Sequence, residues 1–589
     1  MLQNQNKELA RIFDEMATIY EFLGFENRFR VMAYRKASYV IGSLPEAISH
    51  YQEKGKLEDV PGVGISIAAK IREYLRTGKI SKYEKLKTKV PHDFIGLLKV
   101  KGMGPETLKR FHRELGINTK TELITALEDG RVESLEGFKE KKVKNILNGL
   151  RQKELIEKRI VLWDALEVSE MMKSHLEKLP EVERIAVAGS IRRAKETIGD
   201  VDLLIQAKDN DRKKILDHFV GLQNVEKVLL RGNKKASVLI KEANRQVDLR
   251  IFRKKEWGAG LLYFTGSKEH NIHLRKIAIE KGLKVNEYGI FDLRTNEYLA
   301  GASEEEMYAA LGLVWVPPEM RVEQGEIMLA ETKKLPKLVT LKDVKGDLQM
   351  HSNWSDGTDP IEELARYVKG SYTYEYIVLT DHSKSTRVAR GLNEEQFEAQ
   401  IETIKKVNAQ LGVNFVKAGA EVDILTDGSL DLPDRLLEKL DWVVASIHSQ
   451  LNRDNTQRLI KACQHPLVHV IGHPTGRLIG TRESYPLDVE AVIQAASSTG
   501  TALEINAQPL RMDLNDRLAS RARELKVALV ISTDSHQKGN FAFMSLGVAI
   551  ARRAWCTKRD ILNTRNWTAL EKFKATKKKK AELQQTNHA

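Results

Sequence analysis

From Gly346 to His536 the chain repeats one pattern, a short apolar run that ends in a histidine or an acid. It opens at Asp347-Leu348-Gln349-Met350-His351, where Asp356 follows His351 by five residues in a polar loop. It continues at Tyr376-Ile377-Val378-Leu379-Thr380-Asp381-His382, Ala418-Gly419-Ala420-Glu421-Val422-Asp423, Val443-Val444-Ala445-Ser446-Ile447-His448 and Val470-Ile471-Gly472-His473. Leu503-Glu504-Ile505-Asn506 and Leu529-Val530-Ile531-Ser532-Thr533-Asp534-Ser535-His536 close the series. A βα barrel presents side chains in this way, at the C-terminal ends of its strands. One histidine in such a place is more often structural, but the recurrence argues for convergent ligands. Imidazoles mixed with carboxylates suit Mn²⁺, Zn²⁺ or Fe²⁺, and a multinuclear site of that kind can attack a phosphodiester. His465 and His469 open no loop after a strand and are read as structural.

A second constellation lies upstream. Gly189-Ser190-Ile191-Arg192-Arg193 is followed by Gly199-Asp200-Val201-Asp202, and Asp248 stands in a later apolar run, Gln246-Val247-Asp248-Leu249. Side chains alternate along a strand, so Asp200 and Asp202 are expected on one side, with Asp248 on a strand beside them. Three clustered carboxylates suit Mg²⁺, and two such ions can clamp both the attacking and the leaving oxygen of a phosphoryl transfer. Gly189 and Ser190 let backbone amides approach phosphates that Arg193 neutralises. An isolated Asp-x-Asp pair is usually solvated surface, but here all the parts of a nucleotidyltransferase occur in order.

This segment resembles the family X DNA polymerases, the polymerase β-like group, and the resemblance continues through Tyr263-Phe264-Thr265-Gly266-Ser267, Asn271, Arg275 and Asn286-Glu287-Tyr288. It implies that Tyr263 and Phe264 lie against the sugar of an incoming deoxynucleoside triphosphate, that Gly266 belongs to the nucleotide-binding set, that Asn271 contacts the base, and that Arg275 meets the template strand.

The N-terminal part reads as helices. Leu9, Ile12, Phe13, Met16, Ile19, Tyr20 and Leu23 recur at helical spacing. Val60-Pro61-Gly62-Val63-Gly64-Ile65 and Val100-Lys101-Gly102-Met103-Gly104-Pro105 each place a Gly-x-Gly turn between helices, and Leu135-Glu136-Gly137-Phe138 is a weaker third copy. Such a turn exposes amides at a helix N-terminus to a phosphate without any base contact. This is the helix-hairpin-helix pattern. One copy is weak evidence, but repetition in a basic region points to Gly62, Gly64, Gly102 and Gly104 gripping DNA backbones, in the family the downstream and primer strands of a short gap. Lys70 matches the family's Schiff-base lysine, which removes a 5′-deoxyribose phosphate, while Ser66 stands where family lyases often carry a supporting lysine.

The histidine-rich segment resembles the PHP (polymerase and histidinol phosphatase) domain that bacterial family X polymerases carry. The resemblance implies a distorted seven-stranded βα barrel with up to three metal ions, Mn²⁺ or Zn²⁺. Gln349, His351, Glu421 and Asp534 would hold one ion, Glu421, His448 and His473 a second, and Asp356, His382 and His536 a third. Gln349 departs from the motif, which has histidine there, and an amide oxygen is a weaker ligand than imidazole for a borderline metal.

The expected architecture is multidomain, α+β and α/β. A helical DNA-binding region (1–86) and a helix-hairpin-helix subdomain (87–150) precede a polymerase palm (151–256) and a nucleotide-selecting thumb-like subdomain (257–325). A linker (326–345), the PHP barrel (346–570) and a basic, disordered tail (571–589) follow. Lysine and arginine number 95 against 81 acids, a formal charge of +14, which favours a polyanionic partner. Two cysteines give no disulfide framework, and neither a signal-peptide core nor a membrane-length apolar run is evident. A soluble, cytoplasmic monomer acting on gapped or primed DNA is expected: a polymerase of base excision repair with a metal-dependent 3′-5′ exonuclease or abasic-site endonuclease. Two alternatives stay open, a metal phosphoesterase whose polymerase half only binds DNA, and a noncatalytic DNA scaffold.

Overall fold

The computed structural model describes the whole chain except residues 1, 25–26, 45–46, 61, 92, 99–102, 141, 148–149, 151–158, 242 and 589. It forms two compact units, Met1–Lys158 and Arg159–Ala589.

The first unit is helical. Its leading helix, Leu2–Leu23, buries Leu9, Ile12, Phe13, Met16, Ile19 and Tyr20, a stripe that packs on Tyr34, Ala37 and Ile41 of the helix Arg28–Ser43. Gly62 has φ +85°, a left-handed conformation that glycine adopts without steric cost. Gly64 then caps the helix Ile65–Thr77, as Gly104 caps Pro105–Leu115.

The second unit begins with a ribbon of β1 (Ile160–Val161) and β3 (Thr197–Ile198). A five-stranded sheet follows, built from β2 (Arg184–Val187), β4 (Val201–Gln206), β5 (Val225–Arg231), β6 (Lys235–Ile240) and β7 (Arg245–Phe252) in the order β2-β4-β7-β6-β5. Strands β4 and β7 are parallel. Val201, Leu203, Ile205, Val247, Leu249 and Ile251 pack on the helices Leu162–Leu176 and Arg212–Val220. The opposite parity, with Leu204 and Phe252, packs on Trp257. Period two therefore puts Asp202 and Asp248 together on that second face.

A smaller antiparallel sheet, β8 (Leu283–Asn286), β9 (Gly289–Asp292) and β10 (Tyr298–Ala300), packs with the helices Trp257–Thr265, Lys268–Glu280 and Glu304–Ala310. The segment read as a linker is folded instead. Glu326–Glu331 is helical, Ile327, Ala330 and Leu338 join this subdomain's core, and Val339 and Val344 join the next one. Apolar residues at this spacing are buried on both sides of the connection, which leaves no free tether.

The C-terminal half is a parallel barrel of seven strands in sequence order: β11 (Gly346–Asp347), β12 (Tyr376–Leu379), β13 (Val416–Asp423), β14 (Trp442–Ser446), β15 (Val470–Ile471), β16 (Ala502–Asn506) and β17 (Leu529–Ser532). A parallel bridge between Met350 and Ser535 closes it. The lumen is plugged by Tyr376, Val378, Trp442, Val444, Val470, Ala502 and Val530. The same inward parity, continued past the strand ends, brings up His382, His448 and Asp534.

The basic tail is not disordered. It forms the helix Trp567–His588, whose Trp567, Leu570 and Phe573 pack against the lumen plug. Lys577, read as part of a solvated charge run, is buried and donates to the carbonyls of Cys463 and His465. No described helix is long and apolar enough to cross a membrane.

Candidate functional site

Asp202 and Asp248 are paired residues of the parallel strands β4 and β7, and Asp200 stands in the bend just before β4 rather than on the strand. One carboxylate oxygen of each lies within 4.8 Å of the other two. Burial, and then the charges of Asp200 and Asp248, push the Asp202 carboxyl up to about 7. Three acids converging without a counter-cation of equal charge are the expected state of a site for divalent cations. Gln246 donates to Asp248 at 2.8 Å, and the Arg250 guanidinium stands 3.8 Å from the same carboxylate.

Gly189 meets this cluster directly. Its φ is +60°, and a Cβ there would lie 2.2 Å from Asp202 Oδ2, so no larger residue fits beside the carboxylate. Ser190 follows, half-buried, in the short helix Gly189–Arg192. The two arginines divide their roles. Arg192 forms a bidentate pair with Glu304 at 2.7 Å and donates to Thr265 Oγ1 at 2.7 Å, tying the sheet to the smaller subdomain. Burial would raise the Glu304 carboxyl, but Arg321 and Arg192 hold it down to about 2. Arg193 donates to the Thr265 carbonyl, its Nη1 would be 3.0 Å from a Cβ on Gly266, and its Nε is buried without a partner.

Tyr263, Asn271, Arg275 and Asn286 line one small cleft. Asn271 donates to the Tyr263 carbonyl at 2.7 Å and Arg275 to the Asn271 carbonyl at 3.2 Å. The aromatic pair is split by the structure. Tyr263 is 37% exposed, whereas Phe264 packs on Phe252 with ring centroids 6.0 Å apart, beneath the Arg250 guanidinium at 4.3 Å.

In the helical unit neither Gly64 nor Gly104 brings a capping side chain, and both leave open space around Cα, so a phosphate can approach either helix end. Gly102 lies outside the described residues. Lys70 donates to the Ser66 carbonyl and hydroxyl at 2.8 and 2.9 Å and stands 5.7 Å from the Tyr34 ring centre. Burial and then Lys82 hold its ammonium below the ordinary lysine value.

At the barrel mouth Glu421 is the hub. Its Oε1 is 3.0 Å from His473 Nε2 and 3.4 Å from His448 Nε2, and its Oε2 is 3.3 Å from His382 Nδ1 and 3.4 Å from His351 Nε2. His351 Nε2 also stands 3.0 Å from Asp534 Oδ1. Asp356 Oδ2 lies 3.4 Å from His536 Nε2 and 3.6 Å from His382 Nε2. Three groupings fit one ion each: His351 with Glu421 and Asp534; His382 with Glu421 and His448; and His351, Asp356, His382 and His536. The middle group differs from the expected one in carrying His382, while His473 faces the same Glu421 oxygen as His448.

Supporting residues fix these rings. Asp423 Oδ1 holds His448 Nδ1 at 2.9 Å, and the Asp534 carbonyl holds His536 Nδ1 at 2.8 Å, leaving each Nε2 toward the cluster. Burial opposes charge on both imidazoles, yet Glu421 and Asp423 raise His448, and Asp356 raises His536, each to about 10. Buried Asp381 accepts from the amide and hydroxyl of Ser352 at 2.9 and 2.6 Å and from Gln400 at 2.5 Å, which pins the loop between His351 and Asp356. His473 and Asp534 have φ of +27° and +50°, backbone conformations that non-glycine residues seldom adopt, at two strand ends that bear candidate ligands.

The donor set fits divalent cations. Both amide atoms of buried Gln349, the Nδ1 atoms of His351 and His382, and Glu421 Oε2 have no hydrogen-bond partner. Buried polar atoms are otherwise paired in folded proteins, so these point to an absent ligand. His469 instead accepts from the Val443 amide at 2.9 Å and stacks on Trp442, a structural role. His270, Glu323 and Glu326 also converge, but His270 is fully used by Glu326 and Tyr308 at 2.7 Å each. Sequence reading assigned no role to Arg250, Asp423 or Asp381; their common signal is an acid or arginine two residues from, or next to, a predicted ligand.

Residues 4–80 match a helix-hairpin-helix domain, 94–152 a SAM-like helix-hairpin-helix tandem, 159–257 the DNA polymerase beta palm and 260–322 the DNA polymerase beta thumb. The chain is 36% identical over 573 residues to the DNA polymerase/3′-5′ exonuclease PolX of Bacillus subtilis, covering 96% of this chain and 99% of that protein. It is 28% identical over 348 residues to DNA polymerase lambda of Arabidopsis thaliana, covering 54% of this chain and 62% of that one. A probable phosphatase of Thermoanaerobacter is 32% identical over 181 residues, 28% of this chain and 71% of the phosphatase.

Proposed function

The chain belongs to the bacterial family X DNA polymerases with a C-terminal PHP domain, and from that premise we propose that it fills short gaps in DNA and degrades 3′ ends in its barrel. It is a DNA-directed polymerase joined to a metal-dependent 3′-5′ exonuclease. The observation that carries the polymerase reading is Asp202 opposite Asp248 on parallel strands, with Gly189 backed against Asp202.

In the proposed reaction Asp200, Asp202 and Asp248 would hold two Mg²⁺ ions, which would lower the pKa of the primer 3′-hydroxyl and neutralise charge on the triphosphate. Gly189 and Ser190 admit the phosphates close to the backbone, and Arg193 contributes its guanidinium from the adjoining turn. Tyr263 offers its exposed face to the sugar, with Asn271 and Arg275 in the same cleft to meet the base and the template. Gly62, Gly64 and Gly104 would hold the DNA backbones through amides, a contact that selects no sequence.

In the barrel the nine residues from Gln349 to His536 would hold Mn²⁺ or Zn²⁺, up to three ions. Such ions polarise a phosphodiester and activate water. The protein's part is to hold the ligands, Glu421 at their centre, in a buried mouth. Lys70, with its lowered ammonium and Ser66 beside it, is the candidate for removing a 5′-deoxyribose phosphate, which would place the enzyme in base excision repair.

Extension at a one-nucleotide gap with a 5′-phosphate tests this. Templated addition of one nucleotide with Mg²⁺, and shortening of the primer with Mn²⁺ when nucleotides are omitted, are expected. Shortening without addition would make the palm a DNA-binding relic, and addition without shortening would retire the nuclease.

A further inference from the structure

After β16 the chain makes a tight loop across the barrel mouth, and both its ends are fastened. Gln508 donates to the Asp534 carbonyl at 2.6 Å, and the Asn506 and Asp513 main chains exchange hydrogen bonds at 2.5 and 3.1 Å. Arg477 donates to the Met512 carbonyl at 2.5 Å while pairing with Glu196 at 2.6 Å. Between these anchors stands Arg511, with Nε 3.7 Å from Asp534 Oδ2.

The guanidinium is not used up by the fold. Its Nη1 is buried and has no hydrogen-bond partner, although the side chain keeps 20% of its surface exposed. Arg458, also buried in this half, makes the contrast: its nitrogens donate to the carbonyls of Leu425, Ser449 and Ile424. An unpaired N–H so placed is costly unless a ligand takes it. Electrostatics specify the ligand. Asp513 also acts on Arg511, but once cations neutralise Asp534 the guanidinium faces positive charge on that side, and an anion between them would pair its free Nη1. A phosphodiester oxygen pair matches that fork in charge and shape.

We propose that Arg511 binds the non-bridging oxygens of the terminal phosphodiester in the barrel's nuclease site. This rests on the nuclease reading above, and it extends that site by a residue outside the metal-ligand set. Arg511 touches substrate rather than metal, so its loss should leave the metal content intact.

The test uses the full-length protein loaded with Mn²⁺, comparing wild type with Arg511→Gln and Arg511→Lys. Deoxynucleoside monophosphate binding is measured by calorimetry, and any binding at the palm is common to all three proteins. The glutamine variant should bind the monophosphate at least tenfold more weakly and retain wild-type Mn²⁺; the lysine variant should fall between. On DNA, replacing the scissile phosphodiester by a neutral methylphosphonate should cost wild type more in kcat/KM than it costs Arg511→Gln. Equal monophosphate affinity in wild type and Arg511→Gln overturns the proposal, and so does loss of Mn²⁺ in the variant. If wild type leaves DNA intact yet binds the monophosphate through Arg511, the nuclease reading fails and the phosphate site stands.

Discussion

Arg553, on a helix of the barrel half, donates from Nη1 to the main-chain oxygen of Arg193 at 2.8 Å, across 360 residues of sequence. Its other donors pair with Asp516, Nε at 2.8 Å. The turn that carries Arg193, the proposed nucleotide-site arginine, is thus held from outside the palm, and Glu196 a few residues on is held from there too, by Arg477. The two catalytic halves share one mechanical element.

Arg553→Ala should therefore weaken nucleotide addition from a distance. Losing the contact to the Arg193 carbonyl frees the turn, and the expected loss is about 5- to 20-fold in kcat/KM, roughly 1–2 kcal/mol, carried mostly by KM for the triphosphate. Single-nucleotide insertion kinetics measure it. An unchanged KM would mean that the palm holds this turn unaided.

Asp202 makes the cation requirement depend on pH. Its carboxyl, pushed up to about 7, must ionise to bind Mg²⁺, so the concentration giving half-maximal extension should rise as pH falls below 7, about tenfold per unit. The stability sign follows. A raised carboxyl favours the fold below its unfolded value near ~3.9 and loses that advantage as pH rises through 7. Cation-free protein at pH 8 should melt lower than Asp202→Asn, and Mg²⁺ should raise wild type but not the variant. Equal melting of the two cation-free proteins would remove the argument.

Gln349 presents a buried amide with both polar atoms unpaired, where an imidazole would bind borderline metals better. Gln349→His should retain more Zn²⁺ after dialysis than wild type, and metal analysis of the two proteins reads it directly. Equal Zn²⁺ content would place the amide outside the ligand set.

His351→Ala combined with His382→Ala removes two rings stacked 4.5 Å apart that serve all three candidate metal groups. Shortening of 3′ ends should fall by at least ~1000-fold while primer extension at a gap stays within about twofold. Loss of both, with wild-type circular dichroism, would show instead that the barrel's metals support the palm.

Deleting residues 571–589 uncovers the base of the barrel, since Phe573 packs there and Lys577 bonds two carbonyls. The cost should be about 2–4 kcal/mol, seen as a melting point lower by roughly 3–8 °C. A tail that only adds phosphate contacts would leave the melting point unchanged and alter the salt dependence of DNA binding.

Local pattern was enough for much of this protein. Strand period, glycine turns and the recurring histidines and acids at the ends of apolar runs point to a helical DNA-binding region, a nucleotidyltransferase sheet and a βα barrel, because these depend on residues near one another in sequence. The parity that places Asp202 and Asp248 on one face is of that kind. What tertiary structure decided is which distant groups share an atom. Glu421 gathers His351, His382, His448 and His473 from four other strand ends, and no spacing rule assigns its two oxygens among them. Phe264 turns inward while Tyr263 stays exposed, because Phe252 and Arg250 stand beside one and not the other. The lysine-rich tail reads as solvated charge until the barrel supplies an apolar base for it to cover and two carbonyls for Lys577 to bond. Burial and pairing belong to the assembled chain, and composition along a segment cannot encode the partner that only folding brings near.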